Sequence, residues 1–411
     1  MKKFLVLIIL VLIFSFANGN SIFSEIGFVE SSEGLDNFSV GMGYTGIATT
    51  FRKNFSMSNP ALNNTIYNAG FFTQASVDNL TYKISGDSFD KLVTNFPKAK
   101  VIIPLMKNTT LGFDFSQKYS YGLETSITDT LSEYGNYTST TLLQGSVNQF
   151  GISITRNLSK LALGFKLGFN YGNKYNGLKI NFEDNDLIDY ESSYERIMKG
   201  INFTLGATYP ISRFSFGGFY ESALDLDSDN TETVEFTNNS NFDYTLNLES
   251  DYSLPSQLGL GVGYQINKEF YIESNFSQRF WTDATNNAMN ERNTKLISAG
   301  VSFIPYRRKS LFPIRIGGYY KELPCKSNSS YVNEQALSLG FDVPLNFQKQ
   351  GKISMAFTYG KRGNLSDNER EDSFFRFTVG FQSFDRWLNP QKYKRDKEIP
   401  EADEAYLEEW E

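Results

Sequence analysis

The chain has 411 residues, a net charge of -7, a single cysteine and no histidine. The missing histidines exclude Ser-His-Asp and Cys-His catalysis and histidine-ligated metals, and one cysteine cannot form a disulfide framework. The acidic balance argues against a nucleic-acid partner, and nothing in the composition suggests an enzyme, a cofactor or a metal. Aromatic residues nevertheless make up 16% of a chain that is hydrophilic on average. Strands with one face in lipid and the other in water would explain both values.

The N-terminus has the pattern of an export signal. Residues 1–3 (Met-Lys-Lys) are positive, residues 4–16 are apolar, and residues 17–19 (Ala-Asn-Gly) suit a cleavage site. This pattern predicts a secretory signal peptide over residues 1–19. The apolar run is too short to span a bilayer as a helix, and no cysteine follows it that could carry a lipid anchor.

Residues 38–64 (FSVGMGYTGIATTFRKNFSMSNPALNN) are rich in glycine and serine but too apolar for a free tail. Gly41, Gly43 and Gly46 permit tight turns and close backbone approach, and the turn signal Asn59-Pro60 is followed by Ala61. A compact segment ahead of a long series of strands predicts a plug, or hatch, over residues 20–64 inside a closed barrel. A surface loop leading into the first strand is the alternative.

The chain after residue 64 alternates apolar and polar residues with the period of β-strands. In residues 160–175, Leu163, Phe165 and Phe169 share one face, while Gly164 and Lys166 share the other. The predicted strands are 66–77, 101–104, 109–122, 145–156, 160–175, 199–209, 213–224, 253–265, 269–281, 295–305, 313–323, 334–344, 352–361 and 373–384. An even number of about fourteen antiparallel strands is typical of a transmembrane β-barrel of the bacterial outer membrane, here over residues 65–384. A soluble sandwich alternates too, but one sandwich rarely reaches this length.

The predicted connections alternate between short and long. Short turns fall near 105–108, 157–159, 210–212, 266–268, 306–311 and 345–351, and long polar loops near 123–143, 176–192, 225–252, 282–293, 324–333 and 362–372. Short periplasmic turns and long extracellular loops are the asymmetry expected of outer-membrane barrels, which places both termini in the periplasm. Prolines 104, 210, 305 and 344 lie beside the short turns, where a missing ladder donor costs little.

Three remaining features carry weaker hypotheses. The acidic loop 225–251 could attract Ca²⁺ through clustered carboxylates, although a solvated acidic loop is the favoured interpretation. Cys325 is predicted to be a free thiol in a loop beside Pro324. The tail 385–411 changes from basic to acidic, a composition typical of disorder or of a docking segment.

Two stretches resemble a known family. Residues 41–48 (GMGYTGIA) and 58–62 (SNPAL) are similar to the N-terminal hatch of the FadL/TodX family, outer-membrane transporters of long-chain fatty acids and other hydrophobic compounds. In that family the Asn-Pro-Ala segment belongs to a hatch that plugs a fourteen-stranded barrel. Residues 359–363 (YGKRG), Glu371, 375–376 (FR), 380–381 (GF) and 385–387 (DRW) resemble the closing hairpin of FadL-like proteins from the Bacteroidota and related phyla.

The resemblance implies uptake of a hydrophobic small molecule, captured outside and released by hatch movement, with lateral exit into the membrane as one route. Gly41, Gly43, Gly46, Asn59, Pro60 and Ala61 would shape the hatch rather than perform chemistry. Beyond them, no ligand-contacting residue can be matched. A PorV-like barrel of type IX secretion, which holds a secreted protein, and a general porin are the alternatives.

Overall fold

The computed structural model describes residues 21–84, 87–106, 108–131, 135–184, 187–236, 243–284, 292–305, 312–345 and 351–385. The expected signal peptide and the tail after residue 385 lie outside these ranges. No helix in the described part of the chain is long and apolar enough to cross a membrane.

Short helices and a short strand come first, and long strands follow. The first elements are 3-10 helix η1 (Ile22–Ile26), β1 (Glu30–Ser31), α1 (Asn37–Gly41) and 3-10 helix η2 (Pro60–Thr65). The long strands are β2 (Ala69–Ile84), β3 (Asp87–Met106), β4 (Thr109–Leu131), β5 (Gly135–Leu158), β6 (Leu161–Phe182), β7 (Tyr190–Ile211), β8 (Phe214–Glu221), β9 (Leu224–Phe236), β10 (Tyr244–Leu254), β11 (Gln257–Gln265), β12 (Phe270–Arg279), β13 (Thr294–Phe303), β14 (Ile314–Ser327), β15 (Ser330–Leu345), β16 (Gly351–Asn364) and β17 (Arg370–Asp385). A 3-10 helix η3 (Trp281–Asp283) and α2 (Leu365–Asn368) lie between strands.

These strands form one closed antiparallel barrel. Each long strand pairs with its neighbour, and β17 returns to β2, with Asp385 opposite Ala69. Strands β8 and β9 both pair with β7, while β11 and β10 pair with β8 and β9 respectively. Strands β8 and β9 therefore form one wall strand with a short interruption, and β10 and β11 form another. The wall thus has fourteen strands. The predicted fold class and strand number are confirmed.

The outward face of the wall is apolar. Along β6 the large side chains predicted to point outward are the exposed ones, with Leu163 and Phe165 each 43% exposed. Strand β7 continues the same face with Ile201 and Phe203. Exposure of such side chains around a closed barrel costs no stability if the surrounding solvent is lipid.

Five of the six predicted long loops are wrong in most of their length, because the strands continue through them. The sixth, 282–293, contains no strand in its described residues. Strands β4 and β5 pair as far as Leu131 and Gly135, inside the predicted loop 123–143. The predicted loop after the first strand is likewise taken up by β2 and β3. Near its tip the extension of β4 and β5 is largely polar and is held by hydroxyl pairs such as Thr128 with Thr138, so the apolar alternation ends there before the strands do. The predicted loops that are wholly or partly strand are 123–143, 176–192, 225–252, 324–333 and 362–372.

The three fully described short turns are where the sequence placed them, while the predicted turn 306–311 and most of the predicted turn 345–351 lie outside the described residues. Only two residues separate β5 from β6 and β7 from β8, and four separate β11 from β12. Both ends of the barrel, Ala69 and Asp385, lie at this short-turn end. The prolines also fit, since Pro210 and Pro344 are each one residue from the end of a strand.

Two weaker expectations are corrected. Asp225, Asp227 and Asp229 lie on the exposed face of strand β9 rather than in a loop, and alternation along a strand spreads them along the wall. Within the described ranges, no group of three or more His, Cys, Asp or Glu side chains could hold a metal ion. Cys325 is a free thiol, but it is buried in β14.

The wall is incompletely paired at one place. Strands β3 and β4 pair only between the short turn and the pair Lys98–Ser116. Beyond that level the free edge of β4 receives β1, with Glu30 opposite Ser120 and Ser31 opposite Tyr119. The N-terminal segment therefore completes part of the wall as well as lying within it.

Candidate functional site

Residues 21–66, which we call the hatch segment, fill the lumen. Side chains along its whole length are fully buried, including Phe23, Asn37, Phe55 and Ala61. The segment is irregular except for η1, β1, α1 and η2, so its backbone polar groups need partners from the wall. The strands that surround it provide those partners.

Inward glycines of the wall allow the hatch backbone to approach closely. A Cβ on Gly164 of β6 would lie 2.4 Å from the amide nitrogen of Ala61, and one on Gly217 would lie 2.2 Å from the carbonyl oxygen of Ile47. Such distances leave no room for any side chain. Six further inward glycines contact the hatch segment, with 2.1 to 3.0 Å between such a Cβ and the nearest hatch atom: Gly206, Gly261, Gly300, Gly317, Gly340 and Gly380.

The three glycines singled out in the sequence lie at this interface. Gly41 faces the backbone of Gly340, where a Cβ would lie 2.8 Å from the Gly340 Cα. Gly43 has a φ of +75° and lies against the backbone of Gly317 and Gly318, while Gly46 has a φ of +129° and packs on Ser39. Only glycine combines these conformations with so little space.

Asn59, Pro60 and Ala61 form the start of η2 and connect it to the wall. The Asn59 Oδ1 accepts from the Ala61 amide at 3.1 Å, and its Nδ2 donates to the carbonyls of Ile47 at 2.9 Å and Ala207 at 3.3 Å. The carbonyl of Pro60 accepts from the Thr155 hydroxyl at 2.6 Å. The six predicted motif residues are thus brought to one interface between hatch segment and wall.

Glu273 of β12 gathers the loop that follows Gly46. Its Oε1 accepts from the amides of Gly46 at 2.9 Å and Ala48 at 3.0 Å, and its Oε2 accepts from the hydroxyls of Thr49 and Tyr271. Glu273 is fully buried. Four donors on one carboxylate satisfy its lone pairs without water, which makes the contact strong and specific.

Three inward lysines hold other carbonyls of the hatch segment. Lys98 donates to Leu35 at 3.1 Å, Lys100 to Ser56 at 2.6 Å, and Lys166 to Met57 at 2.9 Å. Lys100 of β3 and Lys166 of β6 therefore bind the adjacent residues Ser56 and Met57 from two sides. These contacts use backbone oxygens that no helix or strand of the hatch segment satisfies.

Glu33 and Glu30 of the hatch segment enter ion pairs with the wall. Arg279 makes a two-pronged contact with Glu33, at 2.8 and 2.9 Å, and Lys321 adds a third at 3.0 Å. Burial alone would raise the pKa of Glu33, but Arg279 and Lys321 outweigh it and lower that pKa to about 2.

Glu30 follows the same logic with different partners. Arg376 contacts it at 3.0 Å and Arg362 at 3.7 Å. Burial would raise its pKa, and the two guanidinium groups instead lower it to about 2. Arg362 and Arg376 belong to the C-terminal stretch that carried the second resemblance, so the hatch segment contacts the last two wall strands in the lumen.

An apolar layer lies farther from the short turns than this polar interface. Along β4 the inward side chains change from Asp114 and Ser116 to Tyr119, Tyr121 and Leu123. Hatch residues join the same cluster, whose buried members include Phe23, Phe28, Leu80, Tyr121, Leu123, Leu143, Met198, Leu226, Trp281, Leu323, Val332 and Phe374. The lumen therefore has an apolar layer above a polar, hatch-filled one.

A small cavity lies between the two layers. Its volume is about 80 Å³ and its lining includes Glu30, Lys98, Lys321 and Arg376 together with Tyr44. Several waters would fit, but ligand sites usually measure roughly 300 Å³ or more. A larger solute would therefore not fit in this cavity unless the hatch segment or the apolar layer moved.

Sequence reasoning missed the wall residues that hold the hatch segment, above all Glu273, Arg279 and the inward lysines. A signal was present, because Lys166 interrupts an inward face of β6 that is otherwise small and neutral from Ala162 to Gly172. A charged side chain at an inward position needs a partner. Alternation alone could not identify that partner, which lies more than one hundred residues away in the chain.

Comparisons with known proteins agree with this architecture. A family model described as BamG matches residues 1–394, and no curated protein sequence matches the chain. Among solved structures, a FadL homologue from Pseudomonas aeruginosa has a TM-score of 0.63 at 11% identity and covers 86% of this chain and 99% of its own.

Two further structural neighbours are the toluene transporters TodX of P. putida and TbuX of Ralstonia pickettii. TodX has a TM-score of 0.61 at 15% identity and covers 87% of this chain and 100% of its own. TbuX has a TM-score of 0.58 at 14% identity and covers 86% and 98%. The FadL-like resemblance is confirmed, and at these identities it concerns the fold.

Proposed function

This chain belongs to the BamG family, and from that premise we propose that it takes up hydrophobic small molecules across the outer membrane, through a barrel closed by the hatch segment. The observation that carries the proposal is the apolar layer inside the lumen, which lies beyond the polar interface of hatch and wall. An apolar solute entering from the far end would meet side chains that favour it over water. Structural neighbours named as toluene transporters support the same class of solute.

Within this proposal, long-chain fatty acids are the finer candidate for the ligand. The hatch segment is held in place by Gly41, Gly43, Gly46, Asn59, Pro60 and Ala61. The first and last residues of the wall, Ala69 and Asp385, both lie on the periplasmic side. No chemical step is needed, because binding and hatch movement suffice. The tight seating of the hatch segment argues against a general porin, whose lumen stays open. The secreted-protein shuttle has no support from TodX and TbuX, which are toluene transporters by name.

The proposal can be tested by measuring uptake in a bacterial host that has an outer membrane but lacks its own transporter of hydrophobic compounds. Cells that carry the protein should accumulate labelled oleate or toluene faster than cells with an empty vector. A labelled hydrophilic sugar serves as the control and should enter both strains equally. Equal entry of the apolar solutes would overturn the proposal, and faster entry of the sugar would indicate a porin.

Oleate and toluene together refine the ligand class. Faster entry of oleate alone supports the fatty-acid assignment, whereas faster entry of toluene alone rejects it and retains hydrophobic uptake. Lipids extracted from the purified protein and identified by mass spectrometry give an independent check.

A further inference from the structure

A second functional surface lies at the short-turn end, outside the lumen. The three fully described short turns, which join β5 to β6, β7 to β8 and β11 to β12, contain Lys160, Arg213 and Lys268 respectively. Their only acidic residue is Glu269. We call Lys160, Arg213 and Lys268 the basic rim.

Exposed apolar side chains flank every cation of the basic rim. Lys160 follows Leu158, Arg213 lies between Ile211 and Phe214, and Lys268 lies between Ile266 and Phe270, all within two residues along the chain. The exposed fractions of these five apolar side chains are 51% for Leu158, 45% for Ile211 and Phe214, 38% for Ile266 and 37% for Phe270. They continue the outward apolar face of the wall to its last residue. The cations therefore lie at the level where the hydrocarbon core of a surrounding bilayer would meet the lipid headgroups.

The opposite end of the barrel has the opposite charge. Its described connections hold Arg292 as their one basic residue, against the acidic residues Glu183, Asp184, Asp189, Asp243, Asp283, Asp367 and Glu369. Asp225, Asp227 and Asp229 add an exposed acidic row on the wall near that end. The described connections at the two ends of the barrel thus differ in the sign of their charge.

We propose that the basic rim binds the anionic headgroups of the phospholipid leaflet and thereby sets the barrel with its short turns in that leaflet. Cations next to a hydrocarbon layer attract anionic lipids. The rim cations lie on three successive short turns, which join six neighbouring wall strands. Because lipid-facing apolar side chains flank each cation, the cations lie at the level where lipid headgroups surround the barrel, which favours headgroups over an acidic protein as the occupant.

Lipid selectivity of the purified protein tests the inference. The wild-type protein and Lys160→Gln/Arg213→Gln/Lys268→Gln are reconstituted in vesicles of phosphatidylethanolamine with a minority of phosphatidylglycerol. Lipids retained after mild detergent extraction are then counted by mass spectrometry. We expect an enrichment of phosphatidylglycerol of about threefold on the wild type, weaker at high salt, and none on the triple variant.

A matched triple variant at the other end provides the control. Lys83→Gln/Lys179→Gln/Lys361→Gln removes three partly exposed lysines near the acidic end and should keep the enrichment. Heat-dependent mobility on a gel verifies that each barrel is folded. An unenriched wild type, or a rim variant that retains phosphatidylglycerol as well as the wild type, would overturn the proposal.

Discussion

At the scale of single residues, Glu33 makes the docking of the hatch segment depend on pH. Its pKa falls from 4.5 to about 2 when Arg279 and Lys321 surround it in the folded lumen. A carboxyl group whose pKa is lower in the docked hatch segment than in the free one stabilises docking fully at pH values above its free pKa. This stabilisation is lost as the pH falls from the free pKa through the docked pKa. The shift corresponds to about 3 kcal/mol. Glu30 has the same window because its pKa is also lowered to about 2.

We therefore predict that the contribution of Glu30 and Glu33 to docking of the hatch segment is constant from neutral pH down to about pH 5 and weakens steadily below it. Hydrogen exchange of residues 28–35, normalised to the unfolded rate at each pH, measures this. Glu33→Gln should remove about half of the pH response and Glu30→Gln/Glu33→Gln nearly all of it. Glu183→Gln, at an exposed position, is the control. A pH response of wild-type size in the double variant would contradict the assignment.

Lys166 illustrates how far a residue can be understood from the sequence. Alternation in residues 160–175 places it on the inward face, and the structure agrees, since the side chain is fully buried. Its acceptors are the Met57 carbonyl and the Gln149 side chain. The inward direction follows from a local period of two. The Met57 acceptor lies in the irregular hatch segment, whose packing cannot be predicted from a sequence period.

At the scale of elements, the fit of the hatch segment depends on glycines that face glycines. Gly43 combines a φ of +75° with a space in which a Cβ would lie 2.2 Å from the Gly318 amide nitrogen. Gly135 has nearly the same φ, +74°, but no atom within 4 Å of such a Cβ. The two positions therefore separate backbone strain from steric exclusion.

We predict that Gly43→Ala loosens the hatch segment by on the order of 3 kcal/mol or more, because strain and overpacking add. Gly135→Ala should cost only about 1 to 2 kcal/mol and leave the segment docked. Trypsin cleavage at Arg52 and Lys53 during a temperature ramp reports hatch release, and gel mobility reports barrel unfolding. Equal cleavage temperatures for the two variants would show that the close contact at Gly43 contributes nothing.

The strands show which part of an element the sequence can define. All fourteen wall strands have a predicted counterpart, because lipid on one side imposes a strict apolar alternation. Their far ends were mistaken for loops, since Thr138 and Thr140 of β5 pair with hydroxyls of β4 in a region without apolar contrast. Polar residues on both faces are compatible with strand and loop alike. Only the pairing partner distinguishes them.

At the scale of the whole molecule, uptake and closure make opposite demands on the hatch segment. Strands on all sides of the lumen contact it, so the closed state is well defined. The cavity of about 80 Å³ is too small for a fatty acid or an aromatic ring with its surroundings. A transporting molecule must therefore move the segment, at least locally. A covalent bond between hatch and wall should stop transport without disturbing the barrel.

The contact of Ile47 with Gly261 offers such a bond. A Cβ on Gly261 would lie 3.0 Å from the Ile47 Cβ and 2.4 Å from the Asn275 Oδ1. The disulfide, with a Cβ–Cβ distance of roughly 3.5 to 4.5 Å, therefore requires the Asn275 side chain to rotate away and the backbone to shift slightly. We predict that Ile47→Cys/Gly261→Cys, in a Cys325→Ala background that removes the one native thiol, blocks oleate or toluene uptake when oxidised. A reductant should restore uptake to the level of the single-cysteine controls. Unchanged uptake through the oxidised barrel would mean that solutes pass without movement of the loop around Ile47, and the path would then have to run through the region where β1 completes the wall.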